Sequence, residues 1–383
     1  MKKALQVASV ASMIDQFTMP NINILQELGY EVDVVANFEF GSTSSKERVE
    51  EFQKELKDVN VNVFNLLFNR KIFDKCNIQV YKQLKKIIDE NDYEIIHCHS
   101  PIGGVITRLA ARRARKKGTK VIYTAHGFHF YKGSSLVNWL IYYPVEWICS
   151  WFTDVLITIN KEDYSLAQKR MKAKQISYIP GVGIETDRFK QIVDRVEKRK
   201  SLDINKDEVM LFSVGELNKN KNHQIIIKAI SRLNNPKVKY YIAGKGDLES
   251  DLKEEIGKLN LDKQVYLLGF RNDIAELSKA ADIFCFPSYR EGLSVALMEI
   301  LAAGVPVVCS NIRGNKDLVH QKKGGYLCNV ENVDDYVEAL NILIKDSNLR
   351  ESMRKYNLIR SNDYDVKIVN KSMKQIYQGV VNE

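Results

Sequence analysis

The stretch DIFCFPSYREGLSVALMEILAAGVPVVCS, residues 282–310, decides the fold. Residues 282–288 form a short run rich in apolar and aromatic side chains, the composition of a buried strand. YREG is polar and reads as the loop at that strand's carboxyl end. SVALMEILAAG, opening on Ser294, reads as a helix, since serine is a preferred N-cap. VPVVCS is a second apolar run. Strand, loop, helix and strand in immediate succession form the repeating unit of a parallel sheet. Two carboxylates, Glu291 in the loop and Glu299 in the helix, bracket the apolar segment. Carboxylates are costly to bury without partners, so this turn is a candidate site.

The same alternation runs outward in both directions. Strand-like runs fall at 4–9, 31–36, 61–66, 94–99, 120–125, 155–160 and 177–180, then at 209–215, 238–244, 265–269, 282–288 and 305–310. They are mostly continuous instead of alternating, as in parallel strands covered on both faces. Helical patterns such as KNHQIIIKAISRL (221–233) and VDDYVEALNILIKD (333–346) fill the gaps. This order implies α/β domains with doubly wound parallel sheets. A chain of 383 residues exceeds one ordinary core and suits two. A charged, poorly periodic stretch precedes the strand at 209. It sets the expected division: an N-terminal domain over 1–184, completed by a C-terminal helix at 366–383, a linker over 185–204, and a second domain over 205–365. Two such domains are expected to face each other across a cleft, with ligands at the carboxyl ends of the strands.

The formal charge is +9 and uneven. Residues 1–200 carry 31 Lys and Arg against 23 Asp and Glu, while 201–383 carry 26 against 25. A basic N-terminal half suits an anionic partner, a bilayer surface or nucleic acid, or is a solvated face. The six cysteines form no CxxC pair and sit mostly in apolar runs, which argues for free thiols in a reducing compartment. MKKALQVASV reads as a first strand and not as a signal peptide, so a cytoplasmic location is expected.

The strand ends supply the remaining candidates. FSVGELNKNKNHQ (212–224) is a strand, a turn at Gly215 and a loop with Lys219, Lys221 and His223. A lysine beside a helix start is opposed by the dipole and suits a bound anion. YIAGKGDL contributes Gly244 in a GxG after a strand, alone a weak nucleotide signal. EIIHCHS and YTAHGFHF place His97, His99, His126 and His129 at two further strand ends, positions for hydrogen bonding and acid/base work on a polar substrate. No carboxylate or thiolate spacing supports a metal cluster there.

Together these segments resemble the retaining, nucleotide-sugar-dependent glycosyltransferases of the GT-B fold, of the EX7E type. The likeness rests on Glu291-x7-Glu299 within PSYREGLSVALMEILAAGVPVV, and on VGELNKNKN, IAGKGDL, VYLLGFRNDI, IIHCHSPIGG, YTAHG and YIPGVGIETDRF. HGFHFYKG and VGELNKNKNH look most like bacterial capsular or exopolysaccharide transferases. The resemblance implies that Lys221 holds the donor diphosphate and Glu299 the ribose. It puts Glu291 against the donor sugar, and Gly292, Leu293 and Ser294 as backbone donors to sugar and phosphate. Phe270 and Arg271 fall near the base, and Gly215, Glu216 and Gly244 line the donor site. His126 touches the transferred sugar, with His97, His99 and His129 on the acceptor side. Lys221, Glu291 and His126 form the expected catalytic set. No metal or other cofactor is expected beyond the nucleotide-sugar co-substrate. One departure stands out. The family usually has arginine after the glycine of VGELNK, and here it is Glu216. Either Lys219, Lys221 or Arg271 supplies the missing charge, or Glu216 turns away, or it binds a donor hydroxyl.

The implied reaction is retaining transfer of a hexosyl or N-acetylhexosaminyl group, from a UDP-sugar to a lipid-linked surface polysaccharide. A GT-B sugar-nucleotide epimerase and a non-catalytic nucleotide-sugar-binding subunit are the alternatives; nucleic acid is not an expected partner. SLVNWLIYYPVEWICSWF (135–152) holds all three tryptophans just after the basic RLAARRARKK. That pairing suits peripheral contact with the inner face of an anionic membrane. The same helix could instead pack on its own sheet, or do both with one face each way.

Overall fold

The apolar runs become strands of two parallel sheets in the computed structural model, which describes residues 2–40, 44–69, 74–190 and 194–382. The first sheet contains β1 (Lys2–Val7), β2 (Tyr30–Ala36), β3 (Asn62–Asn65), β4 (Ile95–His99), β5 (Lys120–Ala125), β6 (Val155–Thr158) and β7 (Gln175–Tyr178), in the order β3-β2-β1-β4-β5-β6-β7. The second contains β8 (Val209–Val214), β9 (Val238–Ala243), β10 (Val265–Gly269), β11 (Ile283–Phe286), β12 (Val307–Ser310) and β13 (Gly325–Cys328), in the order β10-β9-β8-β11-β12-β13. Each order reverses direction once, between β1 and β4 and between β8 and β11. Those are the topological switch points where doubly wound sheets open a crevice for ligand.

Continuous apolar strands follow from cores on both faces. In the first unit Ala4, Val32, Val34, Ile95 and Ile122 enter one core, while their neighbours Leu5, Val35, Ile96 and Val121 enter another. Successive strand residues point to opposite faces, so both registers must be apolar. Toward the carboxyl ends the first face turns polar. Gln6 follows Ala4, His97 and His99 follow Ile95, and Thr124 follows Ile122, all buried. Gln6 lies opposite His97, and His99 opposite Thr124.

The chain divides into two compact units, Met1–Val182 with Lys367–Glu383, and Gly183–Val366. The final helix, Val366–Asn382, packs Val369, Met373 and Tyr377 into the first core. Residues 185–204, expected as linker, belong largely to the body of the second unit. The Arg195–Lys200 helix is fixed by Arg199, whose guanidinium donates to the Ala280 carbonyl at 3.1 Å, to Asp282 at 2.9 Å and to the Glu208 carbonyl at 2.7 Å. Arg199 is buried and Lys198 partly buried, while Asp194, Arg195, Glu197 and Lys200 of the same helix stay exposed, so one buried cation and not the whole charge of the stretch ties it to the unit. The sequence reading also missed β13, an edge strand that opens on Gly325 and is only partly buried.

A buried ion pair orients the aromatic helix Leu136–Ser150. Arg108 donates to Glu146 at 2.7 Å, Glu146 accepts from the Tyr123 hydroxyl at 3.1 Å, and the guanidinium lies 3.9 Å from the Tyr123 ring centre. Breaking such a pair is costly because one charge stays buried. One flank of the helix is therefore held inward. Trp139, Tyr142 and Tyr143 pack on the core, while Leu136, Val137, Leu140, Ile148 and Trp151 are exposed.

Candidate active site

In the second unit, two loops meet at the switch point. After β8 the chain turns at Gly215, whose neighbour across the turn is Gly244 after β9. A Cβ on Gly244, at φ +157°, would lie 1.8 Å from the Gly215 carbonyl oxygen, so only glycine allows this approach. The loop continues to a short turn, Lys219–Lys221, capped by Asn218, whose side-chain oxygen accepts from the Lys221 N–H at 3.1 Å. Asn220 and Asn222 stitch this loop to the one after β11. The Tyr289 N–H donates to the Asn220 carbonyl at 2.8 Å. The two amide groups donate to the Arg290 and Pro287 carbonyls at 3.1 and 3.3 Å.

This bracing brings Lys221 and Glu291 together. The ammonium lies 2.8 Å from the carboxylate and 4.8 Å from the Phe286 ring centre, and the two side chains are only 20% and 15% exposed. The Val295–Ala303 helix begins beside them. The Ser294 hydroxyl accepts from the Leu297 N–H at 3.3 Å. Ser294 is thus the cap, and the first-turn N–H groups other than that of Leu297 lack an intrahelical carbonyl acceptor, which suits this helix start to an anion. Gly314 holds the loop from behind; a Cβ there would meet the Gly292 oxygen at 2.0 Å.

Glu299 is half-buried, and burial raises its carboxyl pKa against the opposing charge of Arg188. Glu216 is exposed and accepts from the Asn218 amide at 2.8 Å. It braces the residue that caps the Lys221 turn. Phe270 is 70% exposed at the end of β10. Arg271 is held by Asp273 through a two-pronged pair that also draws in Lys198. His223 is buried, its ring held near neutral form by a pKa pushed down to about 4 by burial and by Lys221.

In the first unit, His97, His99 and His126 form one cluster. His99 Nδ1 lies 3.3 Å from His126 Nε2, and the His97 and His99 ring centres are 4.1 Å apart. Burial pushes the His97 pKa down to about 3 and that of His126 down to about 4, and moves His99 well below its usual value. His126 is partly exposed and lines a small cavity. The cluster is neutral at pH 7, built for hydrogen bonding. His129 is not part of it and stacks on Tyr142 at 4.5 Å. No group of three or more His, Cys, Asp or Glu among the described residues is arranged to hold a metal ion.

Sequence reasoning did not find Asn218, Asn220, Asn222 and Gly314. The signal was present in the asparagine-rich ELNKNKNH, since asparagine caps turns and tolerates the left-handed conformation that Asn222 adopts at φ 52°.

Comparison with known proteins follows the same division. Residues 194–359 match the family described as glycosyl transferases group 1, and residues 6–160 the family described as glycosyl transferase 4-like. The provisionally named glycosyltransferase EpsD of Bacillus subtilis (strain 168) is 38% identical over 334 residues, 86% of this chain and 84% of that protein. This chain belongs to the group 1 glycosyltransferases. The UDP-Gal:alpha-D-GlcNAc-diphosphoundecaprenol alpha-1,3-galactosyltransferase of Escherichia coli is 33% identical over 73% of each chain. The crystal structure of Anabaena HepE in complex with UDP and glucose covers 99% of this chain and 100% of its own, with a TM-score of 0.77 at 19% identity, a likeness of fold. The transferase is thus an α/β protein with two Rossmann-like sheets, and its solved neighbours are GT-B glycosyltransferases.

Proposed function

We propose that this glycosyltransferase moves a hexosyl or N-acetylhexosaminyl group from a UDP-sugar to a lipid-linked bacterial surface polysaccharide precursor, with retention at the anomeric carbon. The observation that carries the reading is the Lys221–Glu291 pair beside the capped helix start at Ser294. Departure of a nucleoside diphosphate builds negative charge on the phosphate. A fixed ammonium and a fan of N–H groups aimed at that charge lower the barrier. Glu291 then faces the sugar, Glu299 the ribose hydroxyls, and Phe270 the base. In the first unit, His126 takes the transferred sugar, with His97 and His99 behind it on the acceptor side. The E. coli relative's name supports a UDP donor and a diphosphoundecaprenol-linked acceptor. The UDP complexes of the Anabaena neighbour support the same base.

The charge on the leaving group is met by the chain's own cation and backbone, so the reading assigns no step to a metal. Turnover is expected to be unchanged by a chelator.

The acceptor reading extends to the membrane. Among the described residues no helix is long and apolar enough to cross a membrane. The chain just after the Leu136–Ser150 helix instead meets the short basic helix Arg112–Lys116, whose Arg112, Arg113 and Lys116 are exposed; the Arg112 guanidinium lies 5.4 Å from the Phe152 ring centre. Arg115 joins the two surfaces by donating to Asp154 at 2.8 Å and to the Trp151 carbonyl at 3.2 Å. Apolar side chains beside cations suit a peripheral site on the cytoplasmic, anionic leaflet.

The deciding experiment incubates the purified chain with a panel of UDP-hexoses and UDP-N-acetylhexosamines and an undecaprenyl-diphosphate-linked saccharide, reading UDP release and the product anomer by NMR. One α-linked product from one α-donor is expected. An inverted anomer overturns retention, and absence of UDP release from every donor overturns the UDP reading.

A further inference from the structure

Beyond the three clustered histidines, the first unit holds Gln6 and Tyr377, buried polar residues with no role in the reading above. Together they form one unbroken hydrogen-bond chain. Thr124 Oγ1 lies 2.8 Å from His97 Nε2, and His97 Nδ1 lies 2.7 Å from the Tyr377 hydroxyl. The Gln6 amide nitrogen donates to that hydroxyl at 3.1 Å, and its oxygen lies 3.1 Å from His99 Nε2. His99 Nδ1 then meets His126 Nε2 at 3.3 Å.

A neutral imidazole has one N–H and one lone pair, so each link fixes the next. The burial-lowered pKa values keep all three rings neutral at pH 7. The Gln6 amide sets the direction, because its two ends differ. Its oxygen requires the His99 proton on Nε2. His99 Nδ1 is then a lone pair, and His126 donates to it from Nε2. On the other side Tyr377 accepts from Gln6 and donates to His97, which donates to Thr124. Turning the amide over would reverse every donor in the chain. His126 Nδ1 is left as a lone pair without a protein partner among the described residues, and His126 lines a small cavity with His99, Thr124 and Phe17.

We propose that Gln6 and Tyr377 are positioning residues. Through His99 they fix the proton of His126 on Nε2 and present its Nδ1 as a hydrogen-bond acceptor to a substrate hydroxyl. Tyr377 lies 280 residues from His97 in sequence, so the C-terminal helix has a part in the chemistry as well as in the core. The proposal rests on the assignment of His126 to the transferred sugar.

The test reads side-chain 15N signals of histidine in the full-length protein, assigned by single histidine substitutions. The native protein is expected to show His126 protonated on Nε2. Gln6→Met removes the acceptor of the His99 proton. His99 then donates from Nδ1, and the His126 proton moves to Nδ1. Tyr377→Phe frees one end of the amide and should give a mixture of both forms. Turnover of the UDP-sugar selected by the donor panel should fall about tenfold in Gln6→Met, the equivalent of one hydrogen bond lost in the transition state, with donor KM little changed. Circular dichroism and melting check the fold; should Gln6→Met not fold, Tyr377→Phe carries the test. A purely structural role would lower the melting temperature and leave the tautomers as they were. A native His126 protonated on Nδ1, or one unmoved in the folded variants, overturns the proposal whatever the turnover. A moved tautomer with unchanged turnover upholds the relay and instead removes His126 from the sugar.

Discussion

Lys221 is paired with the Glu291 carboxylate at 2.8 Å, and that makes its removal informative in two ways. Lys221→Ala deletes the cation proposed for the leaving group and leaves the poorly exposed Glu291 charge unpaired. Turnover is expected to fall by about 10²–10³, the usual loss for one transition-state donor. Stability should also drop by about 1–3 kcal/mol. Adding Glu291→Gln should restore much of the stability and none of the turnover, as read by urea melts and UDP release. Recovery of turnover in the double variant would refute the leaving-group role. Glu216 asks the opposite question. Its carboxylate accepts from Asn218, which caps the Lys221 turn. Glu216→Gln keeps an acceptor there and should change turnover less than about threefold; a collapse would mean the negative charge itself meets the donor. At this scale the sequence was legible for identity and not for partnership. The motif names Arg271 and Lys221 as cations but not the carboxylates that hold them, Asp273 and Glu291.

The twelve anticipated strands all form. Those between two cores, such as β4, β6, β11 and β12, are buried at every position, and the edge strands β3, β7 and β10 still carry the β-branched and aromatic residues that mark a strand. β13 escaped because it is only four residues long, opens on a glycine and is buried at only Gly325 and Cys328. The Leu136–Ser150 helix shows what periodicity alone leaves open: the inward or outward choice is made by the buried Arg108–Glu146 pair, 38 residues apart in sequence. The membrane reading belongs to this helix. Leu140 is 76% exposed and makes no core contribution, so Leu140→Glu should leave the melting temperature nearly unchanged. Co-sedimentation with liposomes containing anionic lipid should weaken severalfold in Leu140→Glu, and also in a variant with Arg112 and Arg113 changed to glutamate. Equal binding by both variants and the native protein would remove this face from any membrane contact. The loop backbones carry a different constraint. Gly314→Ala must displace the Gly292 carbonyl, and a loss of donor binding beyond its effect on stability is expected.

Across the whole molecule, His97, His99 and His223 are buried and His126 is partly buried, and burial depresses the pKa of each. The clustering of His97, His99 and His126 at strand ends was visible in EIIHCHS and YTAHG. Their shared network was not, because Gln6 and Tyr377, which link His97 to His99, stand 371 residues apart. The consequence is a pH dependence of stability with a definite sign. Above about pH 6.5 these groups are neutral in both the native and unfolded chains and contribute no slope. As pH falls below that value the unfolded chain takes up protons and the native protein does not. Stability is therefore lost from about pH 6.5 downward, and the loss levels off only near the native pKa values of about 3 and 4. Four protons correspond to a slope of up to about 5 kcal/mol per pH unit. Calorimetric unfolding near pH 5 in buffers of different ionisation enthalpy measures the uptake directly. His223→Gln should reduce it by about one proton, since that residue titrates in the second unit apart from the cluster. Unfolding without net proton uptake between pH 6 and 5 would mean that the histidines are charged in the folded protein, and the neutral hydrogen-bond chain at the site would fall with that result.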